Sequence, residues 1–539
     1  MSSTITQLLP SPTLNGLTLA LISVVTYILY VRYVHNRLCR YQPGPRPLPF
    51  FGNILQLPME YQERRMMEWG KTFGDIIYAR FFSTHTIVIN SPKVAHELLE
   101  KRSANYSDRP PMVLHSEIMG HGKMLTHTRY GDRLRKLRKW THDAFMLKAA
   151  LKTYEDIQTR ETYILLAGLI ESPDEFVSHF TRFTAATVAE IAYGLTVRSL
   201  DDEYIHLADR TASETVEAGS AGSMLVDFFP ILKHYPLWLP GSGWKRNALR
   251  IRDLAKAMND VPFNRVKDDM EKGVARHSFV SGLLEKFEAN GNLTEEDEDD
   301  IKCAAGVLYG AGTETTANVF TAFLLAMTMF PRVFRKAQAE IDRVIGSDRL
   351  PGFNDRDSLP YLECIIREVY RWHPPTPLGI PHYSMKDDEY RGRIIPANSL
   401  MIANIWGMTR DPDNFPDAED FYPERFDTPE WTSKSQPDSA LPHDPRNLVF
   451  GFGRRQCPAR NFADSNVFLV LAHLIATMDI SKAQDERGID IHPEHVCKSG
   501  FVHHILPFRC SIRPRSPQTA RLIMQLRSAY ESDSSVPNA

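Results

Sequence analysis

Between the acid run "TEEDEDD" (Thr294 to Asp300) and Pro331 the chain reads as one long, largely apolar helix. Most of residues 130–345 shows helical periodicity with only short breaks, among them the proline-broken apolar loop "DFFPILKHYPLWLPG". A segment of this kind commits the body of the chain to a mainly α architecture. The acid run reads as a solvated helix start, where negative charge favours the helix dipole. The β contribution is small. "DIIYARFFSTHTIVIN" holds two β-rich runs around Ser83 and Thr84 that read as a hairpin, followed by "SPKVAHELLEKR", which reads as a capped helix. From about Thr376 to Ala440 the chain is proline-rich with short strands. A last helix is expected from Cys457 to about Met478, and after Arg513 a polar, loosely ordered tail.

The 539 residues are ample for a large core without disulfide staples. A net charge of −3 argues against a dedicated nucleic-acid binder. The six cysteines, Cys39, Cys303, Cys364, Cys457, Cys497 and Cys510, are far apart with no CxxC pair, which fits neither a disulfide framework nor a zinc site and suggests a reducing compartment. No charged side chain precedes Arg32, and "LTLALISVVTYILYV" (Leu17 to Val31) is nearly continuous apolar sequence. A transmembrane anchor is expected over 17–34, with Arg32 snorkelling to the interface. Arg32, Arg37 and Arg40 follow it, so the positive-inside rule leaves residues 1–16 lumenal and the body cytosolic. The expected organisation continues with a basic, proline-rich hinge over 35–53, a single catalytic domain over 54–512 and the tail over 513–539.

Chemistry is concentrated in four stretches. "FGFGRRQCPAR" (Phe450 to Arg460) sets Cys457 just before the last helix, where the dipole and free N–H groups favour a thiolate. Gly451 and Gly453 permit a tight backbone close to a flat ligand, and Arg455 offers a fork of donors to a carboxylate. Those parts suit a sulfur ligating haem iron with an arginine on a propionate; the competing reading is a glycine loop beside an inert cysteine. "YGAGTETTAN" (Tyr309 to Asn318) lies mid-helix. There Gly310, Ala311 and Gly312 clear a flat face, and Glu314 and Thr315 put an acid beside a hydroxyl that can bond back to the helix ladder. In isolation a tightly packed helix segment explains it equally. "REVYRWHP" places Glu368 and Arg371 three apart on one helix face ended by Pro374, and Arg425 of "FYPERFD" can complete a Glu–Arg–Arg network.

In their order along the chain, with "FGFGRRQCPAR" last, the four stretches resemble the cytochrome P-450 haem-thiolate monooxygenases, and the resemblance runs from the N-terminal anchor to about Phe508. Within the family, "YGDRLRKLRKW" and "IPHYSMKDDEYRGRIIPANSLMIANIWGMTRDP" look most like fungal microsomal members that oxidise secondary metabolites. The resemblance implies the cytochrome P-450 fold and haem b, with Cys457 as axial ligand in a loop that includes Phe450 and Gly453. Arg455, Arg138 and His382 would serve the propionates. Glu314 and Thr315 would deliver protons to dioxygen, and Glu368, Arg371 and Arg425 would form the structural network. It also implies one oxygen atom inserted into a lipophilic terpenoid, polyketide or alkaloid. The electrons would come from NADPH through a separate cytochrome P-450 reductase, or a cytochrome b-type donor, at the endoplasmic reticulum membrane. Arg135, Lys136 and Lys139 could form the reductase face. The pocket would draw on Val113, Val307, Ala311, Leu378 and Phe501, with Met112 to Leu114 and Phe228 nearby. Two positions depart from the family pattern: Ala459 replaces a usual glycine, and Leu134 a common tryptophan four before Arg138. The competing functional class is a non-oxidative haem-thiolate isomerase or dehydratase, or a haem sensor. Such proteins can dispense with the acid–hydroxyl pair.

Overall fold

The structure, a computed structural model, describes residues 21–25, 39–197, 203–218, 224–428 and 444–533. Among them the helices of eleven residues or more are, in chain order, α1 (Gln62–Phe73), α2 (Asp132–Phe145), α3 (Glu155–Glu171), α4 (Phe176–Tyr193), α5 (Glu203–Glu217), α6 (Gly243–Glu271), α7 (Phe279–Ala289), α8 (Glu295–Met329), α9 (Pro331–Val344), α10 (Pro360–Trp372), α11 (Arg460–Thr477) and α12 (Pro517–Asp533). The organising element is α8, 35 residues long. Its first half packs with α2 and α4 in one apolar cluster, and its second half with α4, α10 and α11 in another. Its boundaries follow from local chemistry. Thr294 and Asp297 form a capping box, each side chain accepting from the other's backbone N–H. At the far end Pro331, which has no N–H to continue the ladder, opens α9 at a bend of 106°.

The acid run is therefore more than a solvated start. Asp300 is fully buried and paired with Arg133 and Lys136 of α2, so the run clamps two helices together. Lys136 is occupied in that clamp and also meets Asp297 at 3.1 Å, so it is not a free charge for a docking face; Lys139 is exposed.

Strands β1 (Ile76–Phe81) and β2 (Thr84–Ile89) form the expected hairpin, closed by Phe82 and Ser83 in register Phe81↔Thr84. The sheet continues in the order β1-β2-β6-β3, with β6 (Leu400–Ala403) parallel to β2 and β3 (His382–Tyr383) antiparallel to β6. Tyr41 and Gln42 of the proline-rich stretch lie along this region. Tyr41 stacks on Tyr78 at 4.6 Å, and the Gln42 amide donates to the Tyr390 carbonyl at 2.8 Å.

Three expectations are corrected. "SPKVAHELLEKR" forms a four-residue α turn, Pro92–Ala95, that runs into a π-helical turn, His96–Lys101, and the Ser91 side chain makes no cap. The last motif helix, α11, starts at Arg460 rather than Cys457. Among the described residues the segment after Arg513 is not a loose tail: α12 packs on α3 with Ile523 fully buried and Arg527 paired with Glu171 at 2.8 Å. Its amphipathic face found a partner that composition alone does not reveal. The anchor expected over 17–34 falls mostly outside the described residues; Leu21, Ile22, Val24 and Val25 of its described part are exposed. No single helix among the described residues is long and apolar enough to cross a membrane.

Candidate functional site

Cys457 sits between a glycine turn and α11. Gly451 and Gly453 both have positive φ (+76° and +54°), and a Cβ at Gly453 would lie 2.2 Å from the Leu99 carbonyl oxygen. The loop therefore needs glycine at 453 for both its backbone conformation and its clearance. The Cys457 N–H donates to the Phe450 carbonyl at 2.7 Å, closing the turn, and the Phe450 ring meets Tyr370 edge-on at 5.5 Å. Enclosure raises the thiol's pKa, while the Ala459 backbone N–H, Arg138 and Arg460 pull it down. Ala459 packs at the edge of the apolar cluster around Phe462, and Leu134 is buried within it, so both departures from the family pattern are absorbed as packing.

Around this turn the structure gathers an unusual set of cations. Arg455 is buried and donates to the carbonyls of Ser107 (2.6 Å) and Thr128 (2.7 Å). Arg138 donates to the Gln456 carbonyl at 2.7 Å. Arg109, which the sequence reading missed, donates to the carbonyls of Thr126 (2.9 Å), Ile380 and Pro381 (both 2.7 Å). His382 on β3 has its Nδ1 2.8 Å from the Tyr106 carbonyl. Burial pushes every one of these pKa values down. Arg109 falls well below the usual arginine range, Arg455 to about 10 and His382 to about 3, and the Arg109 and Arg455 charges disfavour one another. Arg138 is lowered by burial against an opposing pull from Cys457. The nearest carboxylate, Asp108, is engaged by Arg129 Nε at 2.9 Å and by the Tyr130 N–H. Three guanidinium groups thus sit close together with carbonyl acceptors and, among the described residues, no free carboxylate of their own. "SDRPP" around Arg109 carries no motif, so only the fold could disclose it.

The acid–hydroxyl pair stands on α8. In the middle of this helix Gly310 and Ala311 are exposed, and a Cβ at Gly310 would meet nothing within 4 Å. Helix α8 is continuous here, with no opened turn. The Thr315 hydroxyl donates to the Ala311 carbonyl at 2.8 Å, leaving its oxygen lone pairs free to accept. The Glu314 carboxylate is 3.0 Å from His504 Nε2, a partner the sequence did not suggest. Asp209 of α5 also faces it; enclosure and the Glu314 charge push the Asp209 carboxyl up.

Glu368 and Arg371 are fully buried and joined by two hydrogen bonds (2.7 and 2.8 Å), and Arg425 Nε adds a third contact at 3.1 Å. The proposed lining is less uniform. Val113 is buried with Leu114 and Ile118, whereas Val307, Leu378 and Phe501 are half-buried.

Known proteins resemble this chain over most of its length. The family model for Cytochrome P-450 matches residues 42–511. The chain is 44% identical over 520 residues to cytochrome P-450 monooxygenase 136 of Postia placenta, covering 96% of this chain and 97% of the relative. It is 42% identical over 508 residues to monooxygenase 176 of the same fungus (93% and 96%) and 36% identical over 522 residues to monooxygenase claR of Ampulloclitocybe clavipes (96% and 94%). The matched span includes the cysteine turn, the cation cluster, the central helix and the buried Glu–Arg network; the chain belongs to the cytochrome P-450 family and is a monooxygenase of that family.

Proposed function

We propose that Cys457 is the axial thiolate of a haem b, and that this monooxygenase hydroxylates a lipophilic small molecule of fungal secondary metabolism, a terpenoid, polyketide or alkaloid. The observation that carries the haem assignment is the cation set beside Cys457. Arg109, Arg138 and Arg455 hold three desolvated positive charges with, among the described residues, only carbonyl acceptors. Two propionates would supply the missing anions, and buried charge is tolerated only when paired. The glycine turn brings backbone close to where a flat group would lie.

Bound there, haem supplies activation of dioxygen and transfer of one oxygen atom, with the thiolate donating electron density. The chain's own work is in protons and placement. Thr315 Oγ1, its proton directed at the Ala311 carbonyl, has lone pairs free to accept a proton from a donor, and it passes its own proton on by turning it off that carbonyl. Glu314 supplies the next site, and His504 Nε2 holds its carboxylate at the mouth of that route. Presence of both groups favours oxidative turnover over the isomerase, dehydratase or sensor reading. NADPH-derived electrons from a separate reductase, and an endoplasmic reticulum location through the 17–34 segment with the catalytic domain cytosolic, complete the proposal; the uncharged N-terminus and the basic residues after it support the latter.

The test is the carbon-monoxide difference spectrum of the reduced protein, wild type beside Cys457→Ser. A strongly red-shifted Soret band in wild type, lost in the variant, is expected; the same band in both would sink the thiolate assignment. With Thr315→Ala the expected result is normal haem content, product formation per NADPH reduced at least tenfold, and the missing electrons recovered as peroxide. Unchanged coupling would remove Thr315 from the proton route.

A further inference from the structure

We propose that His373, His495 and Cys497 form a second metal site, separate from Cys457, that takes a soft closed-shell cation, cuprous ion in preference to zinc. His373 follows α10 directly. His495 precedes β8 (Cys497–Lys498), the strand paired with β9 (His504–Ile505). His373 Nδ1, His495 Nε2 and Cys497 Sγ lie within 4.8 Å of one another. The two ring nitrogens are 3.1 Å apart, and Sγ is 3.7 Å from His373 Nδ1. A metal with bonds of about 2.05 Å to nitrogen and about 2.3 Å to sulfur sets tetrahedral edges of about 3.3 Å (N–N) and about 3.6 Å (N–S). The donors already stand near that spacing, so little movement separates them from a ligand set.

The surroundings aim these atoms inward. His373 Nε2 lies 3.0 Å from both the His503 carbonyl, which can only accept, and the Asn318 amide nitrogen; with its ring proton on that carbonyl, His373 presents the Nδ1 lone pair to His495 and Cys497. The Asn318 amide of α8 donates to the same carbonyl. Trp372 stacks on His495 with ring centres 3.7 Å apart, fixing that ring. The Tyr61 hydroxyl donates to the Cys497 carbonyl at 2.7 Å. His373 and Cys497 are buried.

Donor chemistry selects the ion. Two imidazoles and a thiolate suit copper(I) or zinc and offer no hard oxygen for calcium or magnesium. Arg64 and Arg410 act on both His495 and Cys497, while Glu63 is the one carboxylate among the main charges acting on Cys497. Added positive charge is therefore costly. A thiolate with a monovalent cation is neutral, whereas zinc leaves one net charge. Occupied, the site would pin the end of α10 to the β8–β9 hairpin. Asn318, in its outer layer, lies one helical turn beyond Thr315, and His504 at the edge of the hairpin touches Glu314.

The experiment uses the full, haem-loaded chain, without oxygen and with a thiol-free reductant. Wild type, Cys497→Ser and His495→Gln each compete with a chromophoric chelator for copper(I) and, separately, for zinc. One equivalent of copper(I) per wild-type chain is expected, with affinity lowered at least tenfold in both variants and haem iron unchanged in all three. Equal affinities in wild type and both variants, or no uptake of either ion, would overturn the site. Zinc held more tightly than copper(I) would overturn the choice of ion. Haem content is read from iron in the same samples, so failure here is distinct from failure at Cys457.

Discussion

Glu368→Ala is expected to yield little folded protein and to lower unfolding stability by about 3–5 kcal/mol, the cost of stripping one partner from a buried ion pair. The magnitude follows from how completely Glu368 is used. Its two oxygens accept from Arg371 Nε and Nη2, from Arg425 Nε, and from the Tyr422 backbone N–H at 2.7 Å. Arg371, itself fully buried, spends its other donors on the carbonyls of Ala418 (2.7 Å) and Asp420 (2.9 Å). Without Glu368 those neutral dipoles must hold a bare guanidinium away from water, and the Tyr422 N–H and Arg425 Nε lose their shared acceptor on α10. Against a total of about 5–15 kcal/mol, such a loss is a large fraction of the fold's stability. Arg425→Ala should cost less than half as much, because the Glu368–Arg371 pair survives it. The check is urea unfolding of the three proteins at pH 7. A Glu368→Ala midpoint indistinguishable from wild type would remove the network from the list of what holds this fold together.

Local patterns in the sequence disclosed local structure. The hairpin at Phe82, the start of α8 at Thr294 and the glycine turn at Cys457 each depend on residues a few positions apart, and each is where the pattern put it. Glu368 with Arg371 was legible for the same reason, since three positions along a helix place two side chains together. What stayed hidden is long-range. Arg109 reaches carbonyls at Ile380 and Pro381, 271 and 272 residues away, and nothing around it marks it out. His504 meets Glu314 only because β9 lies against α8. Cys497 has His495 two positions before it but His373 124 residues earlier, so the cysteine spacing alone, which reads as fitting no zinc site, did not disclose the cluster. Asp300 looked like one acid among several; burial against Arg133 and Lys136 is a property of helix packing, which composition does not encode. Helix α12 was missed because a polar, amphipathic segment declares its apolar face only once α3 is there to cover it.

A second large effect should appear on acidification well before the carboxylates titrate. Burial depresses the pKa values of His121 and His473 to about 4 and that of His127 well below the ordinary imidazole value, and it also depresses those of His373, His495 and His503 around the Trp372 corner. The sign is fixed by which state takes the proton. Above pH 6.5 these rings are neutral in both states and contribute no pH dependence. Below 6.5 the unfolded chain binds protons that the folded chain refuses until about pH 4, so stability falls throughout that window. His121 and His473 lie on different elements, and together they set a slope of about 2.7 kcal/mol per pH unit, to which the others add. The depressed carboxylate of Glu424, at about 2, weakens the fold only below pH 4.5. Loss between pH 6 and 5 is therefore a histidine signature. His473 isolates it: its Nδ1 is held by the Leu469 carbonyl at 2.8 Å, and its Nε2 is buried without a partner among the described residues. His473→Leu should change stability little at pH 7, because it removes an unpaired polar atom, and should flatten the slope by about 1.4 kcal/mol per pH unit. Urea midpoints at pH 7.0, 6.0 and 5.0 for wild type and His473→Leu provide the measurement. Parallel profiles for the two proteins would mean that this imidazole carries its proton inside the fold, and that α11 tolerates a buried cation which its surroundings give no means to balance.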